Sequence, residues 1–251
     1  MTMPRVTVLL PIKFPAPWLC VTLEALNLQS YRNFILFLLI HGSDEIPTEY
    51  LENLNFEAKI FQVPETKSLS DVLNTGLFVT DSEFIARIDS DDVPDISRFE
   101  KQVRYLDDHP DSAGVGSYVY LIDEDGLVVG KRNVPTKGSA VLKRALWRNP
   151  LIHPSMMLRR EKVIEVGGYS SIAHYVEDYE LWLRLLAQNE LNSIPECLTS
   201  YRLHSKQVTR VSKLTVSSAD QILRSRLALA TARNKSIFFT KIKHRLWVFR
   251  Q

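Results

Sequence analysis

The sequence predicts an α/β protein with a doubly wound, mostly parallel β-sheet and a C-terminal helical appendage. Short apolar runs that end in turn residues alternate with segments of helical periodicity from residue 6 to residue 88, which is typical of parallel strands joined by helices. The chain has 251 residues, of which 45% are hydrophobic and 24% are charged, so it can bury a substantial core. The segment after residue 220 contains eight Lys and Arg side chains and no Asp or Glu, which sets it apart from the rest.

The first half of the chain supplies the parallel strands. Residues 6–12 (VTVLLPI) and 34–40 (FILFLLI) are continuous apolar runs, as expected of strands that are buried on both faces. Between the strands, apolar side chains recur at helical spacing. The strands predicted in this half are residues 6–12, 34–40, 59–63 and 84–88, and the helices are residues 18–29 and 68–78.

The second half is less regular. Two strands joined by the turn Glu124-Asp125-Gly126 predict a hairpin. No linker-like composition precedes Ser212, so we expect one domain over residues 1–211 and a helical tail over residues 212–251. The elements predicted here are strands at residues 113–122, 127–131, 155–158 and 198–203, and helices at residues 94–107, 138–148, 176–188 and 212–231.

Composition and segment lengths exclude several classes of protein. Cys20 and Cys197 lie far apart without a metal-binding or redox motif, which argues against a disulfide scaffold or a zinc site. The first residues form a poor signal peptide. The longest apolar run, residues 34–40, is far shorter than the ~20 residues that span a bilayer. The sequence therefore predicts a cytoplasmic protein.

An acidic cluster follows the fourth predicted strand. Asp89, Asp91 and Asp92 come directly after it, and the carboxyl ends of parallel strands are where ligands bind in such sheets. Carboxylate oxygens are the ligands that Mg²⁺ and Mn²⁺ prefer, often together with substrate phosphates. The residues alone leave a second interpretation open, in which this is an acidic loop that caps the following helix through Asp92 or Asp95.

A second acidic pair opens a predicted helix. Glu177 and Asp178 lie in its first turn, where the helix dipole stabilises a carboxylate. A carboxylate placed over a hydroxyl group can act as a general base. Acidic residues are also common in first helical turns without any catalytic role. Trp182, farther along this helix at apolar spacing, is predicted to lie in the core.

Nine short motifs occur in the order found in one enzyme family. They are VTVLLP at residues 6–11, GS at 42–43, LSDVLNTGL at 69–77, IARIDSDD at 85–92, RFEKQ at 98–102, HPS at 153–155, GGY at 167–169, EDYELW at 177–182 and YRLH at 201–204. With them the chain resembles the family 2 glycosyltransferases over residues 5–210. That resemblance implies the Rossmann-like GT-A fold and points to the bacterial branch that builds O-antigen and capsule repeat units.

The resemblance implies a role for each matching residue on the donor side. Asp91, with Asp89 and His204, would bind Mn²⁺ or Mg²⁺, and Asp89 would also contact the ribose. Arg87 would steady the diphosphate. The remaining residues implied to surround the nucleotide sugar are Pro11, His41, His153, Gly167, Gly168 and Tyr169. At residues 40 and 41, Ile40 and His41 replace the one or two Asp that family members usually carry there, so the nucleotide base stays open.

The resemblance also implies the chemistry. Asp178 would be the general base, and Glu177 would hold the acceptor or the base. One in-line displacement would invert the anomeric configuration of a hexose, which would come from UDP-galactose or UDP-glucose. The implied acceptor is a lipid-linked saccharide, GlcNAc-diphospho-undecaprenol. Two other functions are considered. One is a catalytically silent scaffold or binding subunit, which the change to Ile40 and His41 would support. The other is a sugar-phosphate nucleotidyltransferase, but such an enzyme should have a Gly-rich basic loop after the first strand, and this sequence lacks that loop.

The tail interleaves apolar and aromatic residues with basic ones. Residues 237–249 (IFFTKIKHRLWVF) fit an interfacial helix on anionic lipid, and equally a helix that packs in the protein or in a dimer. With the first alternative the protein would sit peripherally on the inner face of the plasma membrane. Nucleic acid is not expected as a partner, because no recognised binding motif accompanies the charge.

Overall fold

A mixed sheet of nine strands forms the centre of the computed structural model, counted over the residues that it describes, 3–42, 46, 49–205, 207 and 214–249. In space the strands follow the order β3-β2-β1-β4-β8-β6-β9-β5, and β7 pairs with β6. Their bounds are β1 Val6–Ile12, β2 Phe34–His41, β3 Glu57–Val63, β4 Phe84–Arg87, β5 Val93–Pro94, β6 Ser112–Ile122, β7 Val128–Arg132, β8 Met157–Arg159 and β9 Glu190–Arg202.

Helices cover both faces of this sheet. Their bounds are α1 Leu19–Asn27, α2 Glu49–Glu52, α3 Leu69–Val79, α4 Arg98–Asp108, α5 Gly138–Ala145, α6 Arg160–Glu165, α7 Glu177–Gln188, α8 Val216–Ala232 and α9 Ile237–Val248, with a 3-10 turn at His153–Ser155. No helix in the described part of the chain combines the length and apolar content that crossing a bilayer requires.

The apolar strands of the first half are buried on both faces, as predicted. Strands β1, β2, β3 and β4 are parallel to their neighbours in this group. Successive side chains of a strand point to opposite faces, so Leu9 joins the core under α3 and α7, whereas Val8 and Leu10 join the core under α1 and α4. The predicted doubly wound α/β architecture is confirmed.

The second half differs from the prediction where polar residues are buried or a proline intervenes. Strand β9 begins at Glu190, well before residue 198, because the segment pairs in parallel with β6 and buries the polar Asn192, which donates to Ser112 Oγ at 3.1 Å. Helix α4 begins at Arg98 instead of Pro94, because Val93–Pro94 pairs with β9 as strand β5.

The C-terminal helices pack on the rest of the molecule. Helix α8 lies against α7, and α9 lies against α8. Fully buried Arg226 of α8 donates to the Tyr179 hydroxyl at 2.8 Å and to the Trp147 carbonyl at 3.0 Å. The predicted helical appendage is therefore present and joined to the core by buried polar contacts. The predicted boundary between residues 211 and 212 lies outside the described residues, so the division into domain and tail stays a prediction.

Candidate active site

The acidic loop lies at the carboxyl end of β4, in the middle of the sheet. Asp89, Asp91 and Asp92 follow this strand after the single residue Ile88. One carboxylate oxygen of each lies within 4.8 Å of those of the other two. Three carboxylates at this separation repel one another, so the loop favours the binding of a positive charge.

Arg87 is a buried cation beside this loop. Its Nη2 lies 2.5 Å from Asp89 Oδ1, and its side chain is only 5% exposed. Its Nε and Nη1 are buried and have no hydrogen-bond partner among the described residues. Leaving such groups unsatisfied is energetically unfavourable, and a guanidinium edge is well suited to a phosphate or carboxylate. Arg87 can therefore hold an anion next to the acidic loop.

Strand β9 anchors the loop through Arg202. The backbone N–H of Arg202 donates to Asp92 Oδ1 and its Nε donates to the Asp91 carbonyl, both at 2.9 Å. Its Nη1 donates to the carbonyls of Asp123 and Glu124, in the turn between β6 and β7, at 2.9 and 3.1 Å. Burial and the two neighbouring carboxylates raise the pKa of Asp92 well above its usual value. The acidic loop is thus fixed to two distant parts of the chain.

His204 joins the loop from the end of β9. Its Nε2 lies 2.8 Å from Asp91 Oδ2, and the centroid of its ring lies 4.9 Å from that of Trp18. Burial and the charge of Asp89 raise the pKa of Asp91, whereas the contact with His204 lowers it. The structure brings His204 to the position that the family resemblance implies, and its role as a metal ligand stays a prediction.

The side chains of the loop fit a divalent cation. Carboxylate oxygens and an imidazole nitrogen are suitable ligands for Mn²⁺, and carboxylates suit Mg²⁺. Asp92 Oδ2 is buried without a hydrogen-bond partner among the described residues, so no donor compensates this oxygen when the carboxyl is ionised. Asp89, Asp91 and His204 are the more accessible members of the set, so they are the residues that would hold the ion.

Helix α7 positions the candidate base. Asp178 lies in its first turn, where the helix dipole favours a carboxylate. Its Oδ2 accepts a hydrogen bond from Asn149 Nδ2 at 2.7 Å, and its Oδ1 accepts one from the Tyr179 N–H at 2.6 Å. Asn149 Oδ1 accepts the Leu151 N–H at 3.3 Å, which orients the amide so that Nδ2 faces Asp178. Burial raises the pKa of Asp178, and these two hydrogen bonds to its oxygens act against that rise.

The pKa of Glu177 depends on its neighbour Asp178 and on residues at the acidic loop. Burial raises the pKa of Glu177 to about 7, and the charge of Asp178 adds to the rise. Arg87 lowers the pKa of both carboxyls, whereas Asp89 raises that of Glu177. Both groups of acidic residues therefore lie close enough to the buried Arg87 to interact with it.

The glycine pair after α6 lies against α3 and α7. Gly167 and Gly168 have φ angles of +87° and +73°, which favour glycine. A Cβ at residue 168 would lie 2.6 Å from Asn74 Oδ1. That oxygen accepts the Tyr169 N–H, and Asn74 Nδ2 donates to the Tyr169 carbonyl, both at 2.9 Å. Arg184 Nη2 also donates to the Gly168 carbonyl at 2.7 Å. The close approach to Asn74 requires glycine at residue 168.

His153 and Tyr169 form a buried pair near Arg87. The Tyr169 hydroxyl and His153 Nε2 share a hydrogen bond of 2.9 Å. Burial and the charge of Arg87 lower the pKa of His153 well below its usual value, so this imidazole is neutral. Trp182, whose ring centroid lies 5.7 Å from that of His153, is fully buried as predicted. His153 and Tyr169 support the site from the interior, and their predicted role in donor binding stays a prediction.

The loops after β1 and β2 lie at the same edge of the sheet as the acidic loop, because β1 pairs in parallel with both β2 and β4. Pro11 lies near the end of β1, opposite Leu39. His41 ends β2, and its Nε2 shares a hydrogen bond of 3.2 Å with the Glu65 carbonyl. Ser43 lies outside the described residues. Contact of Pro11 and His41 with the nucleotide stays a prediction.

Sequence reasoning missed two residues that hold the site together. Asn149 binds Asp178, and its only local signal is its place in an Asn-Pro pair shortly before the HPS motif. Arg202 lies inside the YRLH motif, where only His204 was assigned a role. Its contacts with the acidic loop join residues that are 110 and 111 positions apart, so no local pattern shows them.

Three bacterial glycosyltransferases are similar to this chain in sequence. The O-antigen biosynthesis glycosyltransferase WbnJ of Escherichia coli is 30% identical over 223 residues, 85% of each chain. The amylovoran biosynthesis glycosyltransferase AmsE of Erwinia amylovora is 33% identical over 68% of this chain and 64% of its own. The E. coli UDP-Gal:alpha-D-GlcNAc-diphosphoundecaprenol beta-1,3-galactosyltransferase is 29% identical over 61% of this chain and 55% of its own. The chain thus spans less than two thirds of the length of two of these relatives.

Solved structures of glycosyltransferases share the fold. TarS of S. aureus in complex with UDP-GlcNAc superposes with a TM-score of 0.75 at 13% identity, over 96% of this chain and 70% of that one. The mannosyltransferase PcManGT of Pyrobaculum calidifontis, in complex with GDP-Man and Mn²⁺, gives a TM-score of 0.62 at 15% identity, over 99% and 84%. The predicted GT-A fold is confirmed.

The family itself follows from the sequence match. The family model described as Glycosyl transferase family 2 matches residues 7–168, which is more than half of the chain. The matched part begins in β1 and includes the acidic loop, Arg87 and both glycines of the loop after α6. With a relative that is 30% identical over most of both chains as well, the chain belongs to glycosyl transferase family 2.

Proposed function

We propose that this glycosyltransferase transfers a hexose from a nucleotide sugar, with inversion, to a saccharide carried on a lipid diphosphate. One observation carries the proposal. The acidic loop and the Asp178 carboxylate both lie close enough to the buried Arg87 to interact with it, so that one group can receive the donor diphosphate and the other can receive the acceptor. Inversion by a single displacement needs the leaving group and the base within one site, on opposite faces of the anomeric carbon.

On the donor side, Asp89, Asp91 and His204 are the residues that would hold Mn²⁺ or Mg²⁺. When bound, such a cation offsets the negative charge that develops on the departing nucleoside diphosphate. The unpartnered Nε and Nη1 of Arg87 supply donors for the same diphosphate from within the protein. Arg202 holds the loop in place through its contacts with Asp91 and Asp92.

On the acceptor side, Asp178 takes the proton from the attacking hydroxyl. The Asn149 amide and the Tyr179 N–H fix the orientation of its two oxygens. Burial raises the pKa of Asp178, which strengthens the carboxylate as a base near neutral pH. Glu177, whose pKa of about 7 leaves it partly protonated at neutral pH, can donate a hydrogen bond to the acceptor.

The substrates are inferred from relatives. A related E. coli enzyme is named for UDP-galactose and a GlcNAc-diphosphoundecaprenol acceptor, and WbnJ is named for O-antigen synthesis. We infer a UDP-hexose, galactose or glucose, and an acceptor of the same lipid-linked class, used at the inner face of the plasma membrane. Since a solved neighbour binds GDP-mannose and His41 replaces an acidic residue, GDP-sugars belong among the donors to be tested.

A donor screen tests the proposal. Release of nucleotide from UDP-galactose, UDP-glucose, UDP-GlcNAc and GDP-mannose is measured with a GlcNAc-diphospho-lipid analogue, with and without Mn²⁺. We expect Asp91→Ala to lose metal-dependent turnover. Asp178→Asn should still bind nucleotide but lose at least about 100-fold in transfer, the contribution typical of a general base. Asp108→Asn, at an exposed carboxylate far along α4, is the matched control.

Two outcomes would overturn this assignment. If the wild-type protein binds a nucleotide sugar but releases nothing with any donor and acceptor pair, the protein is a silent binding subunit. If Asp178→Asn keeps near-normal transfer, Asp178 is not the base. A β-linked product from an α-linked donor, identified by NMR, supports inversion, whereas an α-linked product contradicts it.

A further inference from the structure

Helix α9 has two different faces. Thr240, His244 and Trp247 recur at helical spacing and are buried, with Trp247 only 8% exposed. Through this face the helix packs on Arg226 of α8, whose Nη1 lies 3.2 Å from His244 Nδ1 and whose guanidinium carbon lies 4.6 Å from the centre of the Trp247 ring. The buried face therefore fixes the helix firmly on the protein.

The opposite face of α9 is apolar and exposed. Phe238 and Ile242 are four residues apart, and Phe249, which directly follows the helix, continues the line at i+7 from Ile242. Phe238 is 68% exposed, Phe249 is 92% exposed and Phe239, beside this line, is 62% exposed. Three exposed phenylalanines within one helix and directly after it are unusual on a soluble surface and indicate a surface that is covered in the working state.

The charged residues of α9 and of the segment just before it are all positive. Lys241 and Arg245 lie within α9, and Lys235 lies just before it, all of them exposed. No acidic residue occurs after Asp220 in the sequence. An apolar face bordered by Lys and Arg matches the anionic headgroups and acyl boundary of a phospholipid bilayer. A symmetric contact between two copies of α9 would instead bring like charges together without any carboxylate from this segment to pair with them.

We propose that α9 docks the protein on the surface of an anionic phospholipid bilayer, with Phe238, Phe239 and Phe249 inserted at the headgroup boundary. The buried face of α9 relates this surface to the site. Arg226, which contacts His244 and Trp247, also donates to the Tyr179 hydroxyl at 2.8 Å, and Tyr179 follows Asp178 in the chain. Docking would thus hold the acceptor side of the site close to a membrane, where a lipid-linked acceptor resides. This last step rests on the proposed function.

Vesicle sedimentation tests the docking. The full chain is mixed with vesicles of phosphatidylcholine alone and with vesicles of phosphatidylcholine and phosphatidylglycerol in equal amounts. We expect sedimentation with the mixed vesicles that declines as salt is raised. Phe238→Ser combined with Phe249→Ser should weaken the partitioning at least about tenfold, as should Lys241→Glu combined with Arg245→Glu. Leu28→Ser combined with Leu127→Ser, which removes two exposed leucines outside α9, should leave it unchanged.

The remaining outcomes decide between lipid and protein. Equal sedimentation with both kinds of vesicle, or none with either, overturns the proposal. So does a wild-type dimer in solution that the Phe238→Ser, Phe249→Ser double variant converts to monomer. Nucleotide release with a water-soluble acceptor, measured without vesicles, keeps the two proposals apart. That activity should be the same in the wild type and in both α9 variants, because it needs no membrane. If the wild type shows no such activity, the proposed function is contradicted, while the result of the vesicle experiment still decides the docking.

Discussion

Replacing Asn149 by Ala should shift the pH dependence of transfer without changing the fold. Asn149 Nδ2 donates to Asp178 Oδ2 at 2.7 Å and stabilises the ionised form of that carboxyl. Without this donor the pKa of Asp178, which burial already raises, rises further. As the proposed general base, Asp178 must be ionised, so activity should be lost at low pH and recovered as the pH rises.

The size of the shift follows from the hydrogen bond. A hydrogen bond to a charged group contributes about 1.5–3 kcal/mol, and one pKa unit corresponds to about 1.4 kcal/mol. The acidic limb of the pH–rate profile should therefore move up by about one to two pH units. Below both pKa values this is a loss of about 10- to 100-fold in rate, and the rate at high pH should approach that of the wild type.

The assay is kcat/KM for nucleotide release, recorded from acidic to alkaline pH for the wild type, Asn149→Ala and Asn133→Ala. Asn133 has an exposed side chain and serves as the control for an asparagine loss. Thermal unfolding of each variant shows whether the fold is intact. A uniform loss of activity at all pH values, with the acidic limb in place, would refute the reasoning, because Asn149 would then support the structure without acting on the base.

Two further predictions concern residues that pack around the site. Gly168→Ala should reduce kcat/KM far more than Gly167→Ala. Both residues have positive φ, but only a Cβ at residue 168 would meet Asn74 Oδ1, at 2.6 Å. Equal losses in the two variants would show that backbone strain alone matters. Trp247→Ala should lower the free energy of unfolding by about 3 kcal/mol in a single denaturant transition, because this side chain is buried. Phe249→Ala, at a 92% exposed side chain, should change the free energy of unfolding by less than about 0.5 kcal/mol. A separate early transition would mean that the C-terminal helices unfold on their own.

The parallel half of the fold was predictable because each of its elements is determined locally. Strands β1 and β2 are continuous apolar runs, and the parallel direction of β1, β2 and β4 follows from alternation with helices. The acidic loop was predictable for the same reason, since it begins two residues after the end of β4. Each of these features has its signal within a few residues of sequence.

The long-range parts of the site had no such signal. The length of β9 depends on its pairing with β6, which satisfies the buried polar residue Asn192. The support of Asp178 by Asn149 joins α7 to the segment after α5, across 29 positions of sequence. Arg226 reaches Tyr179 across 47 positions. Such contacts depend on how elements pack, and a single sequence shows residue types without showing which of them meet.

The charges at the acidic loop explain why a nucleotide-sugar donor and a cation would bind together in the proposed function. When all three loop carboxylates are ionised, Arg87 compensates only part of their charge, which is consistent with the raised pKa values of Asp91 and Asp92. A divalent cation alone would compensate the carboxylates but leave Nε and Nη1 of Arg87 without a partner. A diphosphate alone would satisfy those donors but meet the repulsion of the carboxylates. Only the two together satisfy both groups, so binding of each should strengthen binding of the other.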